Sequence, residues 1–151
     1  MPPVAVLPEP AGASITMCRR VAWSETDAAG HNHFTAPFRW MEEAEHELFR
    51  RIGAERAMIP RLPRVHIEID YRDRLFFDQL IWVKVSVVRL GSSSCTFSFC
   101  VDDEFGRSAV SGTYVVVHAA STSTGSQPWP EDVRAALSAD SVFVADVANR
   151  D

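Results

Sequence analysis

Cysteine is scarce in this chain. Three residues, Cys18, Cys95 and Cys100, are too few and of the wrong parity for a disulfide framework. Cys95 and Cys100 stand an odd number of positions apart, so on one strand they would face opposite ways. No Cys-x-x-Cys pair supplies metal-ligand spacing. Free thiols in a reducing compartment are the reading this supports, with a cytoplasmic location as the expectation. Positive charge is also short: 15 Lys and Arg stand against 20 Asp and Glu, a formal net charge of -5. That balance provides no broad attraction for nucleic acid or for an acidic membrane; only a local basic patch would supply one. No apolar run has the length of a membrane span. The opening "MPPVAVLPEPAGAS" lacks both the basic start and the apolar run of a signal peptide, and no internal repeat is visible.

What is present suits one folded domain. The 151 residues are 46% apolar, enough for a real core. Residues 1–14 read as a flexible tail, 15–118 as the folded domain, and 119–151 as a linker, a short helix opened by Pro130, and a C-terminal tail. "ITMCRRVAW" is the first strand candidate, with Ile15, Met17, Val21 and Trp23 on one parity that Arg19 breaks. From about Pro37 the period changes to helical. Phe38, Met41, Ala44, Leu48, Phe49 and Ile52 form one stripe, with Thr35 as the expected cap and Gly53 as the stop. The helix should run about five turns. "RVHIEIDYR", "QLIWVKVSVVRL", "SSCTFSFCVDD" and "SAVSGTYVVVHA" read as strands, the last three joined by short turns into an antiparallel meander. The class is α+β, with an antiparallel sheet wrapped on one long helix. The far face of such a sheet has no local cover, so its apolar residues call for a partner subunit, as a homodimer or homotetramer.

One stretch carries the chemistry: "WSETDAAGHNHFTAPFRWMEE", residues 23–43. Taken locally, Asp27 is a turn or cap residue, because Asp binds nearby backbone in loops. Gly30 suits a left-handed turn leading into the helix. His31 and His33 stand two apart, an arrangement that invites a metal. No third ligand has local spacing, although Asp27 and His66 could meet them in space; the expectation is no metal.

The same stretch resembles the 4-hydroxybenzoyl-CoA thioesterase-like branch of the hotdog-fold acyl thioesterases. That branch has a loop of the form E/D-T-D-x-x-G-x-V-x-H/Y-x-x-Y-x-R-W after its first strand. Here the loop runs from Glu25, Thr26 and Asp27 through Gly30 and Phe34 to Arg39 and Trp40. "IDYRDRLFFDQLIWVKVSV" resembles a later stretch of the family, and the likeness spans roughly Ile15 to His118. The resemblance implies hydrolysis of acyl thioesters of coenzyme A or of an acyl carrier protein, without a cofactor. It also implies sites at a dimer interface beside the amino end of the helix. Asp27 is implied as the catalytic carboxylate and the backbone N–H of Phe34 as the oxyanion donor.

Other positions keep two readings each. His33 stands one place before a position where one branch carries a catalytic His; it either orients a thiol or water, or packs in the loop. His31 is taken as structural or solvent-facing. Glu42, near the apolar stripe, is either a helix-support residue or a helper of Asp27. Glu45 and Pro37 depart from the family, which usually has Arg and Tyr there. Phe38, Trp40 and Phe76 are either core residues or walls of an acyl pocket suited to an aromatic or medium chain. Arg61, Arg64, Arg72 and Arg74 are either solvated surface or a patch for the phosphates of the substrate arm. That patch does not separate coenzyme A from an acidic carrier protein. Three other functions stay open: chain release from a carrier protein in polyketide or related biosynthesis, a non-catalytic acyl-binding dimer, and a dehydratase.

Overall fold

The computed structural model describes residues 6–120 and 125–146. The ends of the expected tails and part of the expected linker lie outside the described residues. Among the described residues, no helix is long and apolar enough to cross a membrane.

The order of elements is β1 (Ser14–Arg20), α1 (Ala36–Arg51), α2 (Glu55–Met58), β2 (Arg64–Tyr71), β3 (Leu80–Leu90), β4 (Ser94–Asp103), β5 (Ser108–Val117), α3 (Glu131–Ser138) and β6 (Val142–Asp146). They build a six-stranded sheet in the order β2-β5-β4-β3-β1-β6. The meander β3–β4–β5 forms as its short turns require. The sheet is nevertheless mixed, because β6 pairs parallel with β1, Ser14 beside Val142 and Cys18 beside Asp146. The segment expected as linker, short helix and tail is therefore largely part of the domain. Val133 and Leu137 of α3, one helical turn apart, are buried together with Trp129 and Ala145. Leu137 and Ser141 also accept hydrogen bonds from the Ala13 and Ser14 N–H groups. The N-terminal boundary moves in the same way: Ala11 donates to Val87 and Ala13 is fully buried.

α1 begins where the loop can dispense with a donor. Pro37 stands in its first turn, where an N–H has no helical partner in any case. Gly53 closes the helix at φ 74, a left-handed conformation that costs glycine nothing. Thr35 occupies the N-cap position, but its hydroxyl lies 2.7 Å from His33 Nδ1 and does not cap the helix. Met41, Ala44, Leu48 and Phe49 are buried as the stripe predicts, and Trp40 joins them. Two corrections follow from the burial. Glu42, expected near the apolar stripe, is exposed, whereas Glu47, outside that stripe, is buried. The buried arc is wider than the apolar stripe, and the charges inside it are paired: Arg50 and Arg51 both reach Glu47 at 3.2 Å.

β1 ends earlier than its alternation implies. The chain leaves the sheet after Arg20, and Trp23 is exposed. Arg19 interrupts the apolar parity because it neutralises two carboxylates, Glu25 at 2.6 Å and Glu43 on α1 at 2.5 Å. The core is completed by Val83, Val85 and Val87 of β3 and Phe97, Phe99 and Val101 of β4.

The opposite face of those two strands was expected to be apolar and uncovered. Instead, Lys84, Ser86, Ser98 and Cys100 share a small cavity of about 170 Å³ with Leu7, Pro8, Glu9 and Pro10. Small polar side chains and the incoming N-terminal segment thus satisfy much of that face. Exposed apolar side chains gather elsewhere. Val65, 61% exposed, and Ile67 lie on the edge strand β2, and Phe34, Phe76 and Phe77 are exposed in the loops. All three cysteines are free. Burial pushes the Cys100 thiol up to about 11 and Cys95 further still, so both stay protonated.

Candidate active site

The loop between β1 and α1 is built by its own polar groups. Trp23–Glu25 form a single 3₁₀ turn. The Glu25 carboxylate ties this turn to both neighbours: it accepts from Arg19 at 2.6 Å, from the Ala22 N–H at 2.7 Å and from the Trp40 indole at 2.8 Å. Trp40, a candidate wall of the acyl pocket, is instead fully enclosed in the core by this bond and its packing. Beyond Thr26 the chain makes a tight reversal. The Asp27 N–H donates to the His31 carbonyl at 2.9 Å and the Gly30 N–H to the Asp27 carbonyl at 3.0 Å. Gly30 sits at φ 88, which a side chain would strain. Asp27 Oδ1 accepts the Ala29 N–H at 2.8 Å. The turn reading of Asp27 therefore holds, and the same bond orients the carboxylate. Asn32, buried, laces the loop to the segment after β2: its N–H donates to the Leu75 carbonyl at 2.7 Å and its Oδ1 accepts the Leu75 N–H at 2.9 Å.

Between His33 and Phe38 all backbone donors but one have an acceptor among the described residues. The His33 N–H donates to Glu25 at 2.7 Å, Ala36 to His33 at 2.9 Å and Phe38 to Thr35 at 3.1 Å. The Thr35 N–H donates to His33 Nδ1 at 3.2 Å, and Pro37 has no N–H. Among the described residues, the Phe34 N–H has no acceptor. A free backbone donor just before a helix is suited to an anion or a developing oxyanion.

Asp27 and Phe34 line one cavity of about 370 Å³, together with His31, Asn32, Tyr71, Arg72, Asp73 and Arg74. Tyr71, at the end of β2, donates its hydroxyl proton to the Phe34 carbonyl. Of the four arginines singled out in the sequence, only Arg72 and Arg74 reach this cavity. Arg64 is engaged elsewhere: it contacts Glu45 at 2.7 Å and Glu42 at 3.5 Å. Arg61 lies near the start of β2, its carbonyl accepting the Ala119 N–H at 3.0 Å. The Arg–Glu pair also answers the departure at Glu45. The helix carries the acid and the strand the base, and the Tyr114 hydroxyl donates to Glu45 at 3.0 Å.

The remaining candidates stand outside the Asp27 cavity. His33 lines a separate cavity of about 460 Å³ with Glu25, Thr35, Arg39 and Glu43. Because Nδ1 accepts the Thr35 N–H, a neutral His33 carries its proton on Nε2. Phe38 packs partly buried against the core, and Phe76 is half exposed, its backbone bridging to His31. Among the described residues, no group of three or more His, Cys, Asp or Glu is arranged to hold a metal ion. His31 and His33 line different cavities, and His66 lies 3.2 Å from Glu68 on β2. Sequence reasoning did not single out Glu25, Asn32 or Tyr71 as site residues. Tyr71 reads as a member of an alternating strand and of the Tyr-Arg segment in the stretch that resembles the family, with no role of its own.

Comparison with known proteins gives the class. The profile of the thioesterase-like superfamily matches residues 21–137. The chain belongs to that family; it is a hotdog-fold thioesterase, a thioester hydrolase. It is 31% identical over 93 residues to the 1,4-dihydroxy-2-naphthoyl-CoA hydrolase of Prochlorococcus marinus (strain NATL2A), covering 54% of this chain and 60% of that protein. A predicted thioesterase from Bacillus stearothermophilus superposes with a TM-score of 0.74 at 26% identity, over 82% of this chain and 93% of that one. A thioesterase from Thermus thermophilus, crystallised with coenzyme A and zinc, superposes with a TM-score of 0.72 at 25% identity, over 81% and 95% of the two chains.

Proposed function

We propose that this protein hydrolyses an acyl thioester of coenzyme A, with Asp27 as the catalytic carboxylate and the Phe34 N–H as the oxyanion donor. One observation carries the reading: Asp27, whose carboxylate is oriented by the Ala29 N–H, and Phe34, whose N–H has no acceptor among the described residues, line the same cavity. Asp27 acts on the thioester carbonyl in one of two ways. It attacks the carbon directly, expels the thiolate and leaves an acyl anhydride for water to cleave, or it takes a proton from the water that attacks. In either route the carbonyl oxygen gains negative charge, and a fixed N–H stabilises it. Arg72 and Arg74, at the same cavity, suit the phosphates of the coenzyme. Named relatives act on or bind coenzyme A thioesters or coenzyme A itself, and this supports the choice of carrier. Neither route calls on a metal. His33 and Glu42 are assigned supporting roles, His33 in ordering the loop and Glu42 as a partner of Arg64.

Release of a chain from an acidic carrier protein is the second reading, favoured by the same two exposed arginines. A hydrolysis screen over acyl-CoA and acyl-carrier-protein substrates separates the two. Turnover of aromatic or medium-chain acyl-CoA is the expected result. Turnover confined to carrier-protein thioesters would replace the first reading with the second, and no turnover on either would remove both.

The assembly is proposed to be a homodimer or larger. The exposed edge of β2, with Val65 and Ile67, borders the chain that carries Tyr71 and Arg72, and an unpaired apolar edge calls for cover. Light scattering at micromolar concentration should give at least twice the 16.8 kDa chain mass. A folded particle of the single-chain mass would refute this.

A further inference from the structure

We infer that Tyr71 is a positioning residue for the oxyanion donor: its hydroxyl, held at the end of β2, fixes the backbone of Phe34 so that the Phe34 N–H faces the cavity. This rests on the proposed reading of Asp27 and Phe34. Phe34 precedes α1, so no helical ladder restrains it. Its side chain is 64% exposed and has no place in the core; its ring lies 4.6 Å from that of His33. The neighbours on either side are held through other residues, His33 by the Glu25 carbonyl and Thr35 by the His33 ring. The peptide that carries the Phe34 N–H is held at its other end, where the His33 carbonyl accepts the Ala36 N–H at 2.9 Å, and the next peptide, across the Phe34 Cα, is held by the hydrogen bond from Tyr71 to the Phe34 carbonyl.

The anchor is itself well fixed. Tyr71 pairs with Val110 of β5, and the next residue, Arg72, donates its N–H to the Ala109 carbonyl at 2.8 Å. The phenol therefore starts from a strand that is hydrogen-bonded into the sheet. Burial raises its pKa above the ordinary value, so it remains a proton donor throughout the neutral range. Tyr71 thus couples the edge strand to the donor, and the register of β2 on β5 sets the geometry of the hole.

The test is Tyr71→Phe, which removes one oxygen. Loss of a whole oxyanion donor costs about 10²–10³ in rate; loosening it should cost part of that, roughly 10- to 100-fold in kcat, with KM within about twofold. Melting temperature and circular dichroism should stay near the parent. The decisive measurement replaces the Phe34 amide by an ester, using the α-hydroxy acid in place of Phe, which deletes the N–H and keeps the side chain. If Tyr71 works through that N–H, Tyr71→Phe causes no further loss in the ester protein. Parent-like kcat in Tyr71→Phe, a change in KM alone, or an equal loss in the amide and ester backgrounds would each overturn the inference. Asp27→Asn on the same substrate separates the levels. If it is inactive while Tyr71→Phe is fully active, only the role of Tyr71 falls. If Asp27→Asn is as active as the parent, the reading of the site falls and this inference with it.

Discussion

Asp27→Asn should remove most turnover while leaving the protein folded. The amide keeps the shape of the carboxyl and an oxygen that can still accept the Ala29 N–H, so the reversal closed by Gly30 should persist. What disappears is the ability to attack a carbonyl or accept a proton from water at neutral pH. General-base help alone is worth about 10²–10⁴ in rate, and a loss of that order is expected. Two companions give the result its meaning. His33→Ala should cost clearly less, because the imidazole lines a different cavity and bonds to Thr35. Glu42→Gln should cost least, because Glu42 is exposed and its contact is with Arg64. Activity of Asp27→Asn within about twofold of the parent would exclude the carboxylate from the chemistry. A Glu42→Gln loss equal to that of Asp27→Asn would move the base onto the helix.

The second large effect is on stability and belongs to the pair inside the domain. Glu45 is only 1% exposed, and burial lifts its carboxyl to about 7 from an ordinary 4.5. The Arg64 charge and the Tyr114 hydroxyl hold it down in part, and the Glu42 charge pushes it up. The folded chain therefore keeps a proton on Glu45 between about 4.5 and about 7, where the unfolded chain has released it. The stability from this group is full below the lower value and is lost as the pH rises through the upper one. In Glu45→Gln that decline should flatten, which melting temperatures across the window would show. A parent and variant with parallel curves would refute it. Arg64→Met removes the counter-charge from a buried acid and should cost roughly 3–5 kcal/mol above neutral pH. The cost should shrink in mild acid, where Glu45 is protonated and needs no partner. Urea unfolding at the two pH values reads both. A loss under about 1 kcal/mol at the higher pH would mean that the buried charge is relieved by another route.

Several parts of this protein are legible in one dimension because they depend on local rules. The period of α1 and its punctuation by Pro37 and Gly53 are set by neighbours a few residues apart. So is the β3–β4–β5 meander, whose turns leave no other pairing. The "ETDAAGHNHF" stretch declares its Asp and Gly, and the reversal they make closes within five residues. What depends on distant partners was not legible. The parallel seat of β6 on β1 joins segments more than a hundred residues apart, and a five-residue strand carries too little pattern to announce it. The burial of Glu47 and the exposure of Glu42 follow from how far the sheet wraps α1, not from the apolar stripe. Four arginines look alike in sequence, yet Arg64 contacts Glu45 while Arg72 and Arg74 line the Asp27 cavity, because Arg64 opens β2 and the other two follow its far end. The sequence by itself therefore determined the helix, the meander and the Asp27 reversal, whose causes are local hydrogen bonds and backbone limits. Only the tertiary structure decided that, between His33 and Phe38, the Phe34 N–H is left without an acceptor among the described residues, and that the Tyr71 hydroxyl bonds to the Phe34 carbonyl across 37 residues, because a donor is free only once every competing acceptor has taken its place in the fold.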